Sequence, residues 1–318
     1  MRLFSKAKKP VLAVMAAVTA LGGVSMAQQA DPLTATVLKR YYLTQVDARC
    51  HLLDSATAMA LKAGFLQARN AAIRAGTDMT VLGPYLDRVR DVAARTDCAS
   101  TQLSAESATV TGALRGFLFQ ATLDLPTGRS SWTANRRFED EARWRLVQFQ
   151  QTDGADLALG LYGTLSSNRL AVMAHFSDGA KPYSARLLVR DPAVLPSGVI
   201  NRTPYGLSEN APLGFTSSSL SFVACASSEQ PAELREQVSA NSAGFSPTGK
   251  YVGAQGPEDA VRFDFPGKAF MAIARLDPRE DVVVAFDFPD GTRYARFEVG
   301  DMITGLAYAA LPSPYGHE

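Results

Sequence analysis

Residues 282–291, Val-Val-Val-Ala-Phe-Asp-Phe-Pro-Asp-Gly, carry the strongest fold signal in the chain. A run of strand-forming residues that ends in Asp-Gly is typical of a β-hairpin, because glycine takes the positive φ that such turns require. Residues 170–179, Leu-Ala-Val-Met-Ala-His-Phe-Ser-Asp-Gly, repeat this pattern with a loop two residues longer. We therefore expect two antiparallel hairpins, which reflect either an internal duplication or two unrelated segments with the same turn chemistry.

Short apolar runs separated by Gly, Pro and Asp-Gly continue from residue 123 onward, which predicts an antiparallel β-rich region. The predicted strands are 144–150, 157–162, 170–176, 184–189, 261–265, 282–288 and 293–299. One helix is expected to begin at Pro266 and end before Pro278, and another covers Met302–Leu311 with Asp301 as its cap. The order strand, helix, hairpin, helix predicts an α+β layer on an antiparallel sheet.

Before residue 122, apolar residues recur at steps of three and four, which predicts four α-helices. Their expected bounds are Leu33–Asp47, Asp54–Gly76, Thr80–Thr96 and Ser100–Ala121. The second helix has N-cap candidates at Asp54 and Ser55, and its broad apolar face is typical of a helix packed among others. The fourth segment contains β-branched and aromatic residues, so a strand is the alternative for part of this helix.

The chain has three cysteines, Cys50, Cys98 and Cys225, among which three pairings are open. The second and third helices are joined by about four residues, so they run antiparallel. Cys50 precedes the second helix and Cys98 follows the third, so the two thiols meet at the open end of this hairpin. We expect a Cys50–Cys98 disulfide, with Cys225 left as a buried free thiol.

The first 27 residues have the three parts of a secretory signal. An apolar run at 11–24 follows a basic segment with no acid, and Ser25-Met26-Ala27 places small side chains at the cleavage site. The basic residues are Arg2, Lys6, Lys8 and Lys9. The apolar run is shorter than the about 20 residues of a spanning helix. We therefore expect a periplasmic or secreted protein with no stable membrane span after cleavage.

The length and the net charge of the chain constrain its domain organisation and its possible binding partners. The 318 residues exceed a typical domain of about 100–200 residues. We expect a signal peptide at 1–27, a helical domain at 28–122, a β-rich lobe at 123–200, a loop-rich connection at 201–256 and an α+β lobe at 257–318. Without the four signal cations, 28 Lys and Arg face 31 Asp and Glu, a net charge of −3. This balance, with no long basic block, argues against nucleic-acid binding.

Motifs of the common catalytic, metal and cofactor sites are missing from the sequence. It has no G-x-S-x-G elbow, no Cys or His pair at zinc spacing, no phosphate-binding loop and no dinucleotide fingerprint. Among the three histidines, His51, His175 and His317, we expect His175 to be a surface imidazole on the polar face of a strand rather than a general base. Asp287 and Asp290 resemble part of a calcium loop, but a hairpin turn explains them better. We expect no metal and no cofactor.

Trp132 and Trp144 flank a charged stretch that contains Arg136 and Arg137. Aromatic side chains beside arginine are typical of binding surfaces, so these four residues form a candidate binding edge for a polysaccharide or a peptide. The alternative is that both tryptophans belong to the core while the charged residues face solvent.

These observations favour an exported, soluble cell-envelope protein that is not an enzyme and that binds a partner protein or a polysaccharide ligand. The alternative is a secreted hydrolase whose catalytic residues are dispersed, since distant residues can assemble a triad. A third interpretation is a periplasmic assembly or chaperone factor.

The signal interpretation fixes the first residue of the mature protein. We expect N-terminal sequencing of the natively expressed protein to begin at Gln28, because Ala27 is the last small residue of the cleavage site. A native molecule that retains residues 1–27 contradicts this interpretation.

Overall fold

The computed structural model describes residues 31–191 and 260–315, apart from residues 138, 141 and 153, together with the backbone of residues 219–225. The expected signal segment, most of the loop-rich connection and His317 lie outside the described residues. In the described part, six helices accompany two antiparallel sheets, which confirms the α+β class. None of these helices combines the length and the apolar character needed to cross a membrane.

The N-terminal region forms four helices, as predicted. They are α1 (Pro32–Cys50), α2 (Ser55–Arg74), α3 (Met79–Arg95) and α4 (Thr101–Phe119). The carboxylates of Asp31, Asp54 and Asp78 accept backbone N–H groups at the starts of the first three, so each of these helices has an N-cap. Because α4 is one continuous helix, the strand alternative for this segment is wrong.

A disulfide joins Cys50, the last residue of α1, to Cys98, which follows α3. The two Cα atoms lie 5.5 Å apart, within the usual range for disulfides. Since α1 packs against both α2 and α3, the bridge fastens the end of α1 to the segment that follows α3. The predicted pairing is confirmed, and the side chain of Cys225 lies outside the described residues.

Six strands form the first sheet, in the order β1-β2-β3-β4-β5-β8 with every neighbouring pair antiparallel. Their bounds are β1 (Thr122–Pro126), β2 (Ser131–Asn135), β3 (Arg143–Thr152), β4 (Ala155–Gly163), β5 (Asn168–Phe176) and β8 (Val261–Asp264). The sequence analysis missed β1 and β2, which have five residues each and too few apolar side chains for a clear alternation.

Four strands form the second sheet, in the order β10-β9-β6-β7. Their bounds are β6 (Ser184–Arg190), β7 (Ser219–Cys225), β9 (Asp281–Phe288) and β10 (Gly291–Glu298). The main apolar core lies between the two sheets, where the Phe176 ring of β5 meets the rings of Phe286 and Phe288 edge-on at 5.5 and 4.9 Å. The two sheets therefore pack face to face.

The hairpin prediction is right for the second segment and wrong for the first. β9 and β10 form a hairpin in which Phe288 pairs with Gly291, and Gly291 has the positive φ of 145°. By contrast, β5 belongs to the six-stranded sheet and β6 to the four-stranded sheet, so the turn at Gly179 carries the chain from one layer to the other. Asp-Gly chemistry fixes the turn but not the strand partner, and β6 pairs with β7 and β9 instead. The topology gives the duplication interpretation no support.

Two regions that the sequence analysis separated into lobes are interleaved. β8 extends the first sheet by pairing with β5, and β9 pairs with β6 in the second sheet. The described strands within residues 123–191 and 260–315 therefore contribute to both sheets.

Two further helices follow β8 and β10, as predicted. α5 (Gly267–Ile273) packs on β5 and β6, while α6 (Met302–Ala309) packs on β1, β2 and β3 and also contacts α2. Asp301 is the N-cap residue of α6, as predicted, but its carboxylate makes no bond to the helix backbone. Its carboxylate instead accepts hydrogen bonds from Arg74 at 2.6 Å and Asn70 at 3.0 Å, both on α2. Asp301 thus fastens the four N-terminal helices α1–α4, called the helical module below, to the sheets.

Loss of the disulfide is expected to destabilise the protein measurably. The bridge closes a loop with a sequence separation of 48, for which the chain-entropy model gives about 4 kcal/mol. We expect the double variant Cys50→Ala/Cys98→Ala to lose free energy of unfolding on that order in urea denaturation. An unchanged midpoint, or a non-reducing peptide map that links Cys225 to either partner, contradicts the pairing.

Candidate functional site

An open cleft of about 540 Å³ lies where β4 ends and β5 begins, beside α5 and α6. Apolar side chains form most of its wall: Leu161, Leu170, Phe265, Pro266, Phe270 and Leu306. The exposed residues Asn168, Arg169 and Gly267 complete its lining at the rim. Its volume falls within the roughly 300–1,000 Å³ of typical small-molecule sites, which are also mainly apolar with a few polar groups.

The cleft exists because β8 stops before β5 does. The Phe265 amide donates to the Leu170 carbonyl at 2.8 Å, and the β5–β8 pairing does not extend past this point. Pro266 follows with no N–H to donate, and it directs the chain into α5. The first two residues of β5 therefore have β4 as a neighbour on one side and the cleft on the other.

Two polar residues at the rim differ in how they are held. The Asn168 side-chain amide donates to the carbonyls of Thr164 and Leu165, at 3.2 Å in both cases, so its orientation is fixed by the loop. For the exposed guanidinium of Arg169, the described part of the chain provides neither a hydrogen bond nor an ion pair. Among the described residues that line the cleft there is no Ser, Thr, Cys, His, Asp, Glu or Lys, so this part of the lining offers an apolar wall and no side-chain nucleophile or base.

The structure places both tryptophans of the candidate binding edge inside the protein. Trp132 is 1% exposed in the main core, and its Nε1 donates to the carbonyls of Glu298 and Val299. Trp144 lies on the opposite face of the sheet against the ring of Tyr162, with ring centroids 5.3 Å apart. A β-bulge between Trp144 and Leu146 produces this separation, because it shifts the side-chain alternation of β3 by one residue.

The two arginines of that edge also separate. Arg136 is 2% exposed and donates to the backbone carbonyls of Leu118, Gln120 and Pro312, so it ties the end of α4 to the C-terminal segment. Arg137 alone is exposed. The four residues do not form one exposed edge, and the burial of both tryptophans agrees with the core interpretation.

His175 lies next to an acid but not next to a nucleophile. Its Nδ1 is 3.8 Å from Asp156, the residue directly opposite on β4. Within the described residues, no serine or cysteine shares a hydrogen bond with His175, so the Asp–His pair there lacks the third member of a hydrolase triad. Neither residue lines the cleft.

No family model, no curated protein and no solved structure matches this chain. The geometry of the described residues is therefore the basis for assigning a site.

A buried polar site, separate from the cleft, lies between the sheets at the carboxylate of Glu298. Its Oε2 accepts hydrogen bonds from four donors of the β1–β2 turn: Thr127 Oγ1 at 2.7 Å, the Arg129 amide at 2.9 Å, the Ser130 amide at 2.8 Å and Ser130 Oγ at 2.5 Å. Burial alone raises the pKa of Glu298, but the hydrogen bonds from Ser130, Thr127 and Arg129 outweigh it, so this pKa lies below its ordinary value.

Asp281 lies directly opposite Glu298 in the β9–β10 pairing, and its pKa is shifted in the opposite direction. Burial raises its pKa above the ordinary value, and the Arg129 guanidinium, 2.6 Å from Oδ2, only partly offsets this. Its buried Oδ1 has no hydrogen-bond partner within the described residues. These two acids join the sheets, and because neither lines the cleft we assign them a structural role.

Opposite pKa shifts predict opposite effects of neutralising the two acids. A lowered folded-state pKa means that Glu298 stabilises the protein above its unfolded pKa and that this contribution is lost as pH falls. At pH 7, Glu298→Gln is expected to lower the free energy of unfolding by about 2–3 kcal/mol, because the amide group faces hydrogen-bond donors.

The matched change, Asp281→Asn, serves as the control. The raised pKa of Asp281 means that its ionisation costs stability as pH rises, so we expect this variant to be at least as stable as the wild type at pH 7. Urea denaturation at pH 7 and pH 4 measures both effects, and the gap between Glu298→Gln and the wild type narrows at the lower pH. Equal losses for both variants at both pH values contradict the assignment.

Proposed function

We propose that this chain is an exported protein that binds a small, largely apolar molecule in the cleft and does not transform it. The cleft itself is the observation that carries the proposal. Its wall includes residues of strands β4 and β5 and of helices α5 and α6. A ligand there therefore contacts side chains that the fold already holds in place. A preformed site of this kind costs little ordering free energy on binding.

The chemistry of the wall supports binding to apolar groups. Leu161, Leu170 and Phe265 are buried at the base, while Phe270 and Leu306 are half-buried and retain surface for a ligand to cover. Each CH₂ group that leaves water contributes about 0.8 kcal/mol. A chain of several carbons therefore gains enough free energy to occupy the cleft without many hydrogen bonds.

The same lining supports binding in preference to hydrolysis. The nine described residues that line the cleft include no nucleophile, acid or base, and the Asp156–His175 pair is not among them. The Cys50–Cys98 disulfide is compatible with an oxidising compartment, which supports a periplasmic or secreted location. Binding of an envelope protein or a polysaccharide stays a prediction from the sequence.

Filling the cleft tests the proposal directly. An added Cβ at Gly267 meets no atom within 4 Å, so Gly267→Phe places a ring at the rim without displacing the backbone. We expect the wild type to bind a neutral apolar fluorophore, N-phenylnaphthylamine, and the variant to bind it at least tenfold more weakly, because the ring occupies the space of the ligand.

Gly112→Phe is the matched control, since Gly112 is exposed on α4 and an added Cβ there also meets no atom within 4 Å. Fluorescence titration measures the affinity, and thermal unfolding checks that both variants fold. Equal binding by the wild type and Gly267→Phe, or no binding by the wild type, overturns the proposal.

A further inference from the structure

We infer that the ligand of the cleft is an extended peptide segment with apolar side chains, which adds to β5 as a further strand. This inference rests on the proposed function and adds the class of ligand to it. The observation behind it is a short open edge of β5, where backbone groups of Asn168 and Leu170 face the cleft and have no hydrogen-bond partner among the described residues.

The backbone of Leu170 points away from β4, toward the side on which β8 lies. Its carbonyl accepts the Phe265 amide at 2.8 Å. The N–H and C=O of one residue in an antiparallel strand point to the same side, because the residues of a hydrogen-bonded pair exchange both bonds. The Leu170 N–H therefore also points toward β8, but the Phe265 carbonyl does not accept it, and no other acceptor among the described residues bonds to it. This leaves one free donor at the edge.

Asn168 continues the same open edge two residues earlier. The Thr164 amide donates to the Ser167 carbonyl at 3.0 Å, so these two residues form a hydrogen-bonded pair at the end of the β4–β5 hairpin. Hydrogen-bonded and non-hydrogen-bonded pairs alternate along an antiparallel ladder, so the next pair, Gly163 and Asn168, exchanges no bonds. The N–H and C=O of Asn168 thus point away from β4. Because the β5–β8 pairing starts only at Ala171, these groups face the cleft.

The edge stays open because the chain that follows β8 cannot cover it. Pro266 has no N–H to donate and directs the chain into α5, so β8 does not continue along the start of β5. The Asn168 side chain donates to the carbonyls of Thr164 and Leu165, which fixes the start of β5 in an extended form. The edge is therefore already formed before a ligand binds, and its ordering costs little free energy on binding.

A peptide backbone is the chemistry that fits this edge. Each peptide residue other than proline carries one N–H donor and one C=O acceptor. One segment therefore supplies an acceptor for the Leu170 N–H and a donor for the Asn168 C=O, whereas an alkyl chain supplies neither. Addition of an extended peptide to an open sheet edge is a recurring mode of recognition, in which pockets for alternate side chains give specificity.

The apolar wall fits the side chains of such a peptide. Successive side chains of a strand point to opposite faces of the sheet, so every second side chain of the ligand lies on the face of Leu161 and Leu170. Phe270 and Leu306 line the cleft on that face from α5 and α6. Apolar residues at alternate positions of the ligand are therefore favoured.

Two peptides with the same side chains test the inference. The first is the acetylated dimethylamide of alanyl-leucyl-alanine, and the second is the same peptide with every backbone N–H replaced by N-methyl. The methylated peptide has no N–H to donate to the Asn168 carbonyl. Displacement of N-phenylnaphthylamine at pH 7 measures both affinities. We expect the unmethylated peptide to bind about three- to tenfold more tightly, which is the range for one lost hydrogen bond.

Amide hydrogen exchange at Leu170, measured by NMR, tests the other bond. We expect saturating unmethylated peptide to slow this exchange by about tenfold, because its carbonyl accepts the Leu170 N–H. Saturating N-phenylnaphthylamine has no carbonyl and is expected to slow it less. The Val172 amide is the internal reference, since Val172 pairs with Phe263 of β8 and its exchange should not change.

The two glycine variants show whether the peptide lies in the cleft. We expect Gly267→Phe to lose peptide binding and Gly112→Phe to keep it, because only the first places a ring in the cleft. A peptide that binds Gly267→Phe as tightly as the wild type lies elsewhere, and the inference is then overturned.

The remaining outcomes separate this inference from the proposed function. If both peptides bind equally, or if N-phenylnaphthylamine slows the exchange of Leu170 as much as the peptide does, strand addition is wrong while the cleft remains a binding site. The same holds if N-phenylnaphthylamine binds and neither peptide displaces it. If neither the fluorophore nor the peptides bind, both proposals fail.

Discussion

The fold depends on one buried corner, the segment Glu298–Asp301, where both sheets and the helical module meet. The Glu298 carboxylate accepts hydrogen bonds from the β1–β2 turn, and the Glu298 backbone carbonyl accepts one from the Trp132 side chain of β2. Three residues later, Asp301 accepts from Arg74 of α2 at 2.6 Å. Both carboxylates are almost fully buried, so each needs the donors that the other layers supply. The corner therefore joins the two sheets and the helices α1–α4.

This corner also determines the candidate site, because α6 begins directly after it. The chain enters α6 through Gly300, whose φ of 45° and close approach to Thr127 leave no room for a side chain. The direction of α6 then sets the position of Leu306 against β4 and β5. The opposite wall depends on Pro266, which ends the pairing of β8 and begins α5. The two walls of the cleft thus depend on different constraints, the buried corner for α6 and Pro266 for α5.

Much of the fold could be predicted from the sequence because its signals are local. Helical periodicity with caps such as Asp54 predicts the helices, and antiparallel hairpin geometry predicts the Cys50–Cys98 bridge. Strand partners could not be predicted, since the turn at Gly179 has hairpin chemistry but connects different sheets. The cleft was missed because its residues are distant in sequence and apolar, so their pattern does not differ from that of the core.

The space between β5, α5 and α6 is the proposed ligand site. Amide NMR spectra recorded during a titration with decanol test it most directly, because they report on every described region at once. We expect saturable shifts concentrated at Leu170, Phe265, Gly267–Phe270 and Leu306, with the helices α1 and α3 unaffected. Shifts that are absent, unsaturable or concentrated in the helical module contradict it.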